Sequence, residues 1–369
     1  LAPLEPNEKI FVDIDFLKDD PHGELACTSC HGGDASNPDW KTAHKAVVKD
    51  PSFAKPDLAC GKCHEEIAAA APKSLHVTLA PYWDVLHTRM GATGQTTLNK
   101  VNEAFDNHCS SCHSSCGQCH ISRPDSVEGG FVSGHFFKKR PDMEANCTAC
   151  HGSRIQNEYM GKNEGYPADI HYTKLNMNCN KCHFAKEMHS ANGHAKSRYL
   201  TDTHQKCENC HKDTVLKKSS EMHGTHLKKV ACQVCHSVAY KNCYGCHVGK
   251  DPQGVPYYQI DKTDMAFKIG KNILQSKDRP YAFALVRHVP ANPNLFDYYV
   301  KNAFPNFNRV PTFKYATPHN IQRKTPQTAS CNHCHGNKKL FLTKDDVSPN
   351  ELEANAKIIV RDDEIPPKQ

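Results

Sequence analysis

No run of 18 apolar residues occurs in the 369-residue chain. The longest candidates, IAAAA at 67–71 and YAFALV at 281–286, fall far short of the roughly 20 that a membrane-crossing helix needs. Apolar residues are scarce throughout, at 38% of the chain with a mean hydropathy of −0.67. Two ordinary side-chain cores would fit the length but not this composition. Charge of one sign is also lacking, since 46 Lys and Arg stand against 40 Asp and Glu, which gives +6. That excess is too small to argue for nucleic acid. Finally, no cysteine is spare, because all 20 fall into one repeated pattern.

The pattern is densest in CSSCHSSCGQCH at 109–120, where Cys109, Cys112 and His113 are followed at once by Cys116, Cys119 and His120. It recurs at Cys27/Cys30/His31, Cys60/Cys63/His64, Cys147/Cys150/His151, Cys179/Cys182/His183 and Cys207/Cys210/His211. Cys232/Cys235/His236, Cys243/Cys246/His247 and Cys331/Cys334/His335 complete ten copies of C-x-x-C-H. From composition alone about 0.07 copies are expected, so chance is excluded. Zinc or a redox dithiol would explain the cysteine pairs but not a histidine directly after each, and a disulfide framework would not need a fixed spacing. Covalent attachment of a c-type haem needs all three residues. Both thiols add to the vinyl groups and the adjacent histidine is the proximal iron ligand. The pattern therefore predicts ten covalent haem c groups.

Ten porphyrins would supply the apolar surface that the side chains lack, with about 37 residues per haem. The expected fold class is a multihaem cytochrome c, mostly irregular with short α-helices and a few short β-strands packed around a chain of ten haems. Residues 1–369 are read as a single haem-wrapped unit. Within it lie a nine-haem segment at 27–247, a haem-free β-leaning insertion at 248–330, and the tenth haem with a C-terminal tail at 331–369. Haem propionates would bring the chain to about −4 oxidised and about −14 reduced, so the positive apoprotein charge does not predict a nucleic-acid partner. Successive motifs start 33, 49, 7, 31, 32, 28, 25, 11 and 88 residues apart. The two short intervals, at 109–116 and 232–243, should hold haem pairs in or near contact.

Helices are expected over 37–48, from His64 to Pro72, and over 81–92. Strands are expected at VPYYQI (255–260), MAFKIG (265–270) and YAFALVRHV (281–289), within a long loop and hairpin covering the last haems. KIFVDIDF at 9–16 and KIIVR at 357–361 are further strand candidates, able to pair with this chain or a neighbour's.

A second imidazole on each iron would make an electron carrier, whereas an open position would admit a substrate. Fifteen of the 25 histidines lie outside the motifs. The candidates for distal ligands are His22, His44, His76, His135, His171, His189, His204, His223, His226, His288 and His319. His87, His108, His194 and His333 are weaker, and Met188 and Met222 are expected to pack on haem faces rather than ligate. Low-potential bis-histidine haems are therefore expected throughout.

With these residues in view, the chain resembles the multihaem c-type cytochromes of anaerobic respiration. CHFAKEMHSANG at 182–193 and THLKKVACQVCH at 225–236 are similar to segments of the octahaem tetrathionate reductase and hydroxylamine oxidoreductase relatives, and the resemblance implies distal roles for His189 and His226. That reductase is known for a catalytic haem whose attachment motif ends in lysine, whereas all ten motifs here end in histidine. The expected function is accordingly electron conduction in anaerobic respiration or extracellular electron transfer, without catalysis; the alternative is a reductase of nitrogen or sulfur oxyanions with one open haem. Haem attachment outside the cytoplasm, and a chain that starts at Leu1 as a processed product would, predict an extracellular or cell-surface location, with the periplasm second. Expected partners are redox proteins or extracellular acceptors, and further copies of the chain in an oligomer or filament. Neither nucleic acid nor a membrane span is expected.

Overall fold

The computed structural model describes every residue except 1, 55, 113, 191–196, 201–204, 213–220 and 291. The chain forms two compact units. One comprises Leu1–Tyr82, Ser110–Gly152 and Asn178–His204; the other comprises Trp83–Cys109, Ser153–Met177 and Gln205–Gln369.

The first unit is built from helices of four to six residues, among them Pro6–Ile10, Phe16–Asp19, Cys27–His31, Trp40–Ala43 and Glu65–Ala70. The strand expected at 9–16 does not form. Pro6 in the first turn and a reciprocal Glu5/Glu8 capping box start a helix instead. Asp13 then turns the chain by accepting from the backbone of Asp15 and Phe16. The helix expected over 37–48 shrinks to Trp40–Ala43, because the backbone beyond it is spent on the first motif. Asp34 N–H donates to Ala43 O at 3.0 Å and Val48 N–H to His31 O at 2.8 Å. The helix expected after His64 is present as Glu65–Ala70.

Among the described residues of this unit, Phe16 is the one large apolar side chain that is buried. Trp40 is 68% exposed, Phe11 60% and Phe53 60%. Short capped helices without a shared apolar core cannot stabilise one another, since isolated helices of this length are unstable in water.

The second unit has a conventional core. Seven strands form: β1 (Tyr240–Lys241), β2 (Cys246–Lys250), β3 (Pro256–Ile260), β4 (Met265–Ala266), β5 (Ile269–Lys271), β6 (Phe283–His288) and β7 (Phe313–Tyr315). β5, β6 and β7 make an antiparallel sheet with Ile269 opposite Leu285 and Val286 opposite Tyr315. β6 is central and buried on both faces: Leu285 packs with Ile269, Tyr240 and Phe341, and Val286 with Phe313, Leu342 and Ile358. This explains its unbroken apolar run. β2 and β3 form a hairpin closed at Asp251, and β1 pairs with β4. The strands expected at 255–260, 265–270 and 281–289 thus form, the second as two short pieces.

KIIVR at 357–361 is not a strand, yet Lys271 N–H donates to Ile358 O and Val360 N–H to Leu342 O, with both side chains buried. The C-terminal tail is therefore seated on its own sheet. Helix Ala80–Met90 matches the one expected at 81–92. The longest helix, Gln95–His108, is unforeseen: its Thr and Asn residues are poor helix formers, and burial of Val101, Ala104 and Phe105 along one face holds it. Among the described residues no helix is long and apolar enough to cross a membrane.

A buried ion pair ties this core together. Arg287 on β6 meets the fully buried Glu158, whose other oxygen accepts from the His319 backbone N–H at 2.8 Å. Glu158→Ala would leave the guanidinium buried and unpaired, and it is expected to cost about 3–5 kcal/mol in a denaturation midpoint measurement. A loss within experimental error would show that Arg287 finds water instead.

Candidate functional site

Helical turns position most motifs. Cys27–His31, Cys116–His120, Cys207–His211 and Cys232–His236 are each one α-turn, and Cys60–Lys62 and Cys179–Lys181 are 3₁₀ turns. Residues three and four apart share a helix face, so a turn collects both thiols and the imidazole on one side. Gly32, at φ +73°, ends the first of these turns in a conformation that favours glycine.

The cysteines assigned to haem attachment are not enclosed alike by protein. Cys63, Cys150, Cys182 and Cys210, each the second thiol of its motif, are exposed rather than buried, as are Cys27, Cys207 and Cys331. Exposure departs from a ready-made protein pocket around every attachment thiol, and the local structure explains it. Cys63 and Cys182 are the residues at which the chain leaves a three-residue 3₁₀ turn. Cys150 lies in the four-residue helix Thr148–His151, with Sγ 3.2 Å from Ser126 Oγ, and Cys210 lies in a single turn that has no buried residue. One turn of helix covers its own inner face only, and an outward thiol is shielded only when another segment packs over it. The attachment expected of these four thus rests on motif spacing and not on enclosure by side chains.

Each of seven motif histidines lies opposite a histidine from elsewhere in the chain. His64 faces His22 with ring centroids 6.2 Å apart, His31 faces His135 at 6.0 Å, His151 faces His76 at 6.2 Å and His120 faces His189 at 6.1 Å. In the second unit His211 faces His171 at 6.0 Å, His236 faces His223 at 6.2 Å and His335 faces His226 at 6.1 Å. A metal bound between two imidazoles at about 2.0–2.1 Å per bond, with each ring centre roughly 1.1 Å beyond its nitrogen, requires about 6.2 Å between centroids. The spacing fits one metal ion per pair.

The outer nitrogens are also arranged for ligation. His31 Nδ1 donates to Val48 O at 2.7 Å, His120 Nδ1 to Lys138 O at 2.6 Å, His236 Nδ1 to Gln322 O and His335 Nδ1 to Pro367 O. Among the non-motif histidines of these pairs, His22 Nδ1 donates to Asp20 at 2.8 Å, His171 Nδ1 to Asp169 at 3.0 Å and His226 Nδ1 to Met222 O at 2.8 Å. A carbonyl or carboxylate can only accept, so each bond fixes the tautomer that leaves Nε2 with its lone pair. Burial holds His76, His135 and His189 below the usual imidazole range, in the neutral form that ligates, while the hydrogen bonds that His171 and His183 donate to Asp169 and Glu187 raise these two.

Thiols of different motifs also meet. Cys60 and Cys116 share a hydrogen bond, as do Cys147 and Cys179. In each pair the bond lowers one thiol, Cys116 or Cys179, to about 7 and pushes its partner well above the usual thiol range. Among the described residues no three His, Cys, Asp or Glu side chains converge to hold a metal ion, so these contacts do not assemble a Cys₄ zinc site.

The other expected site residues stand apart from these pairs. His44 is exposed, with Nδ1 on Trp40 O at 2.8 Å. His288 places Nε2 against Glu351 at 3.1 Å and stacks on Phe313. His319 binds Glu158 through its backbone. His183 bonds to Glu187 at 3.1 Å, and His247 meets Asn292 at 3.0 Å. His113 and His204 lie outside the described residues. Of the weaker candidates, His108 bonds to Tyr299 OH, His87 stacks on Trp83 and His333 bonds to Ser330, and His194 is outside the described residues. The orienting groups Asp20 and Asp169 escaped the sequence reading, although D-x-H at 20–22 and again at 169–171 was a usable signal.

Comparison of the chain with protein-family models, curated proteins and solved structures finds no match.

Proposed function

We propose that the protein is a decahaem c-type cytochrome that conducts electrons through covalently attached, mostly bis-histidine haems. The observation that carries this reading is the set of seven imidazole pairs, each joining one motif histidine to one non-motif histidine at the spacing a shared metal requires. The exposed apolar surface of the first unit supports it, since porphyrin faces would cover side chains that the polypeptide leaves in water. The same cover would reach the exposed thiols of Cys63, Cys150, Cys182 and Cys210. Held there, haem iron supplies a reversible one-electron couple. The paired histidines would hold the iron, Asp20, Asp169 and backbone carbonyls set imidazole tautomers, and the fold keeps motifs close to one another, as at Cys60/Cys116.

The proposed setting is the cell exterior or periplasm, with redox proteins or external acceptors as partners. Assembly with further copies is proposed from His44, an exposed imidazole whose Nδ1 is already occupied as in the paired ligands. Intact mass and difference spectra test the central reading. The purified chain should exceed its polypeptide mass by ten haems and show reversible c-type reduction. A mass equal to the bare polypeptide, or restored by dithiothreitol alone, sinks the proposal.

A further inference from the structure

In the first unit, His22 opposite His64 and His135 opposite His31 have Nδ1 surroundings of opposite kinds. His22 Nδ1 donates to Asp20 Oδ1 at 2.8 Å, and the same oxygen accepts from the His22 backbone N–H at 2.9 Å. Asp20 Oδ2 accepts from Phe137 N–H at 2.9 Å. Both oxygens of this buried side chain thus act as acceptors, as those of an ionised carboxylate do.

His135 has no such partner. Its Nδ1 is buried without a hydrogen bond, and among the described residues it is the one paired histidine in that state. Its own carbonyl lies near but outside hydrogen-bond geometry. The backbone puts the ring there. Phe136 N–H donates to Ser133 O at 3.0 Å, closing a turn whose central residues, Gly134 at φ +52° and His135 at φ +79°, both lie in the region that favours glycine. Asp13 N–H donates to Gly134 O at 3.1 Å, and a Cβ at Gly134 would meet Asp13 Cβ at 3.0 Å, so the turn is seated tightly. The imidazole is thereby presented to Phe16, Phe131 and Phe137, in T-shaped contacts at 4.8, 4.9 and 5.7 Å. Phenyl rings offer no oxygen to its N–H.

The two sites adjoin. Phe137 stacks on His22 at 3.9 Å and is also one of the three rings around His135, while Lys62 Nζ donates to Ser29 O at 3.5 Å and joins the turn of the second motif to that of the first. We infer that these two sites form a downhill step, in which an electron on iron between His22 and His64 moves to iron between His31 and His135. This inference rests on the proposed cytochrome function. The carboxylate makes His22 the stronger donor, which stabilises ferric iron beside it. His135, with no acceptor on Nδ1, is the weaker donor, and its apolar surroundings disfavour the ferric state, which carries one more positive charge. The charge of Asp20 reaches His135 only through space and so lowers that couple less. The transfer balances within the pair: the iron that gives the electron becomes ferric, the iron that takes it becomes ferrous, and no third reactant is needed.

The test is a spectroelectrochemical titration of the holoprotein, with haem content counted by intact mass. Exchanging a ligand removes one component from the wild-type titration and so reads its position, whether the altered site keeps its haem with methionine bound or loses it. The component removed by His135→Met is expected at least about 59 mV above the one removed by His22→Met, the difference that gives a tenfold bias for one electron. Asp20→Asn, which keeps both histidines, should raise the component assigned to His22 and narrow that gap, with the low-spin ferric signals retained. Equal potentials or the reverse order overturn the inference, as does a fully haem-loaded Asp20→Asn protein whose titration is unchanged. Each of those results leaves the cytochrome reading intact, whereas a chain without haem removes both.

Discussion

Produced without haem attachment, the chain is expected to lose the fold of its first unit while keeping the sheet of the second. Ordering the backbone costs about 1–2 kcal/mol per residue, and burying a Val, Leu, Ile, Phe or Met side chain returns about 1.5–3 kcal/mol. The first unit has Phe16 as its one large buried apolar side chain among the described residues, whereas the second buries Leu285, Ile269, Val286, Phe341, Leu342, Ile358 and Val360 around β6. Hydrogen exchange on chain made in a cytoplasm without the attachment machinery should show unprotected amides over Cys27–Lys73 and protection along β5, β6 and β7. Native-like protection of the first unit in that material would mean that the polypeptide folds unaided, and would leave its exposed Trp40 and Phe11 without the role assigned to them.

On the proposed cytochrome reading, the second large effect is expected from exchanging His171. His171 lies opposite His211, and buried Asp169 accepts from its backbone N–H and from Nδ1, while the other Asp169 oxygen accepts from Ile321 N–H. A carboxylate on Nδ1 makes an imidazole a stronger donor, which would favour ferric iron at His171 and keep that couple low. His171→Met should raise one of the ten potentials by a sizeable part of the roughly 0.8 V that axial ligands span, and add a methionine-to-iron band to the near-infrared spectrum. Asp169→Asn should move the same couple upward by less and leave the ligation unchanged. Titrations identical to wild type for both variants would show that His171 does not ligate iron.

What could be read from the sequence followed from the range of each interaction. The ten motifs were legible because their pattern is local: two thiols and an imidazole within five residues carry the whole signal. Their surroundings were not, since the exposure of Cys63, Cys150, Cys182 and Cys210 depends on which segments pack over a single turn. The helix after His64 and the strands at 255–260 and 281–289 were legible because their patterns are continuous. KIFVDIDF misled because its alternation is overridden by Pro6, the Glu5/Glu8 box and the Asp13 turn, all short-range hydrogen-bond chemistry competing with a weak period. Helix Gln95–His108 was missed because tertiary burial of Val101 and Phe105, not propensity, sustains it.

The partners of the motif histidines were legible only as a pool. Among the described residues, seven of the eleven candidates lie opposite a motif histidine, yet nearness in sequence did not select the pairs: His22 precedes Cys27 by five residues but faces His64, and His226 precedes Cys232 by six but faces His335. Residue order alone establishes how many C-x-x-C-H motifs there are and which histidine each one carries, because spacing along the chain defines them. Which imidazole stands across from which, and why His247 meets an amide and a carboxylate instead, depends on the folded chain. The imidazole across from a motif histidine is chosen by where folded backbone carries it, and that is set by hydrogen bonds and packing between segments that sequence spacing does not record.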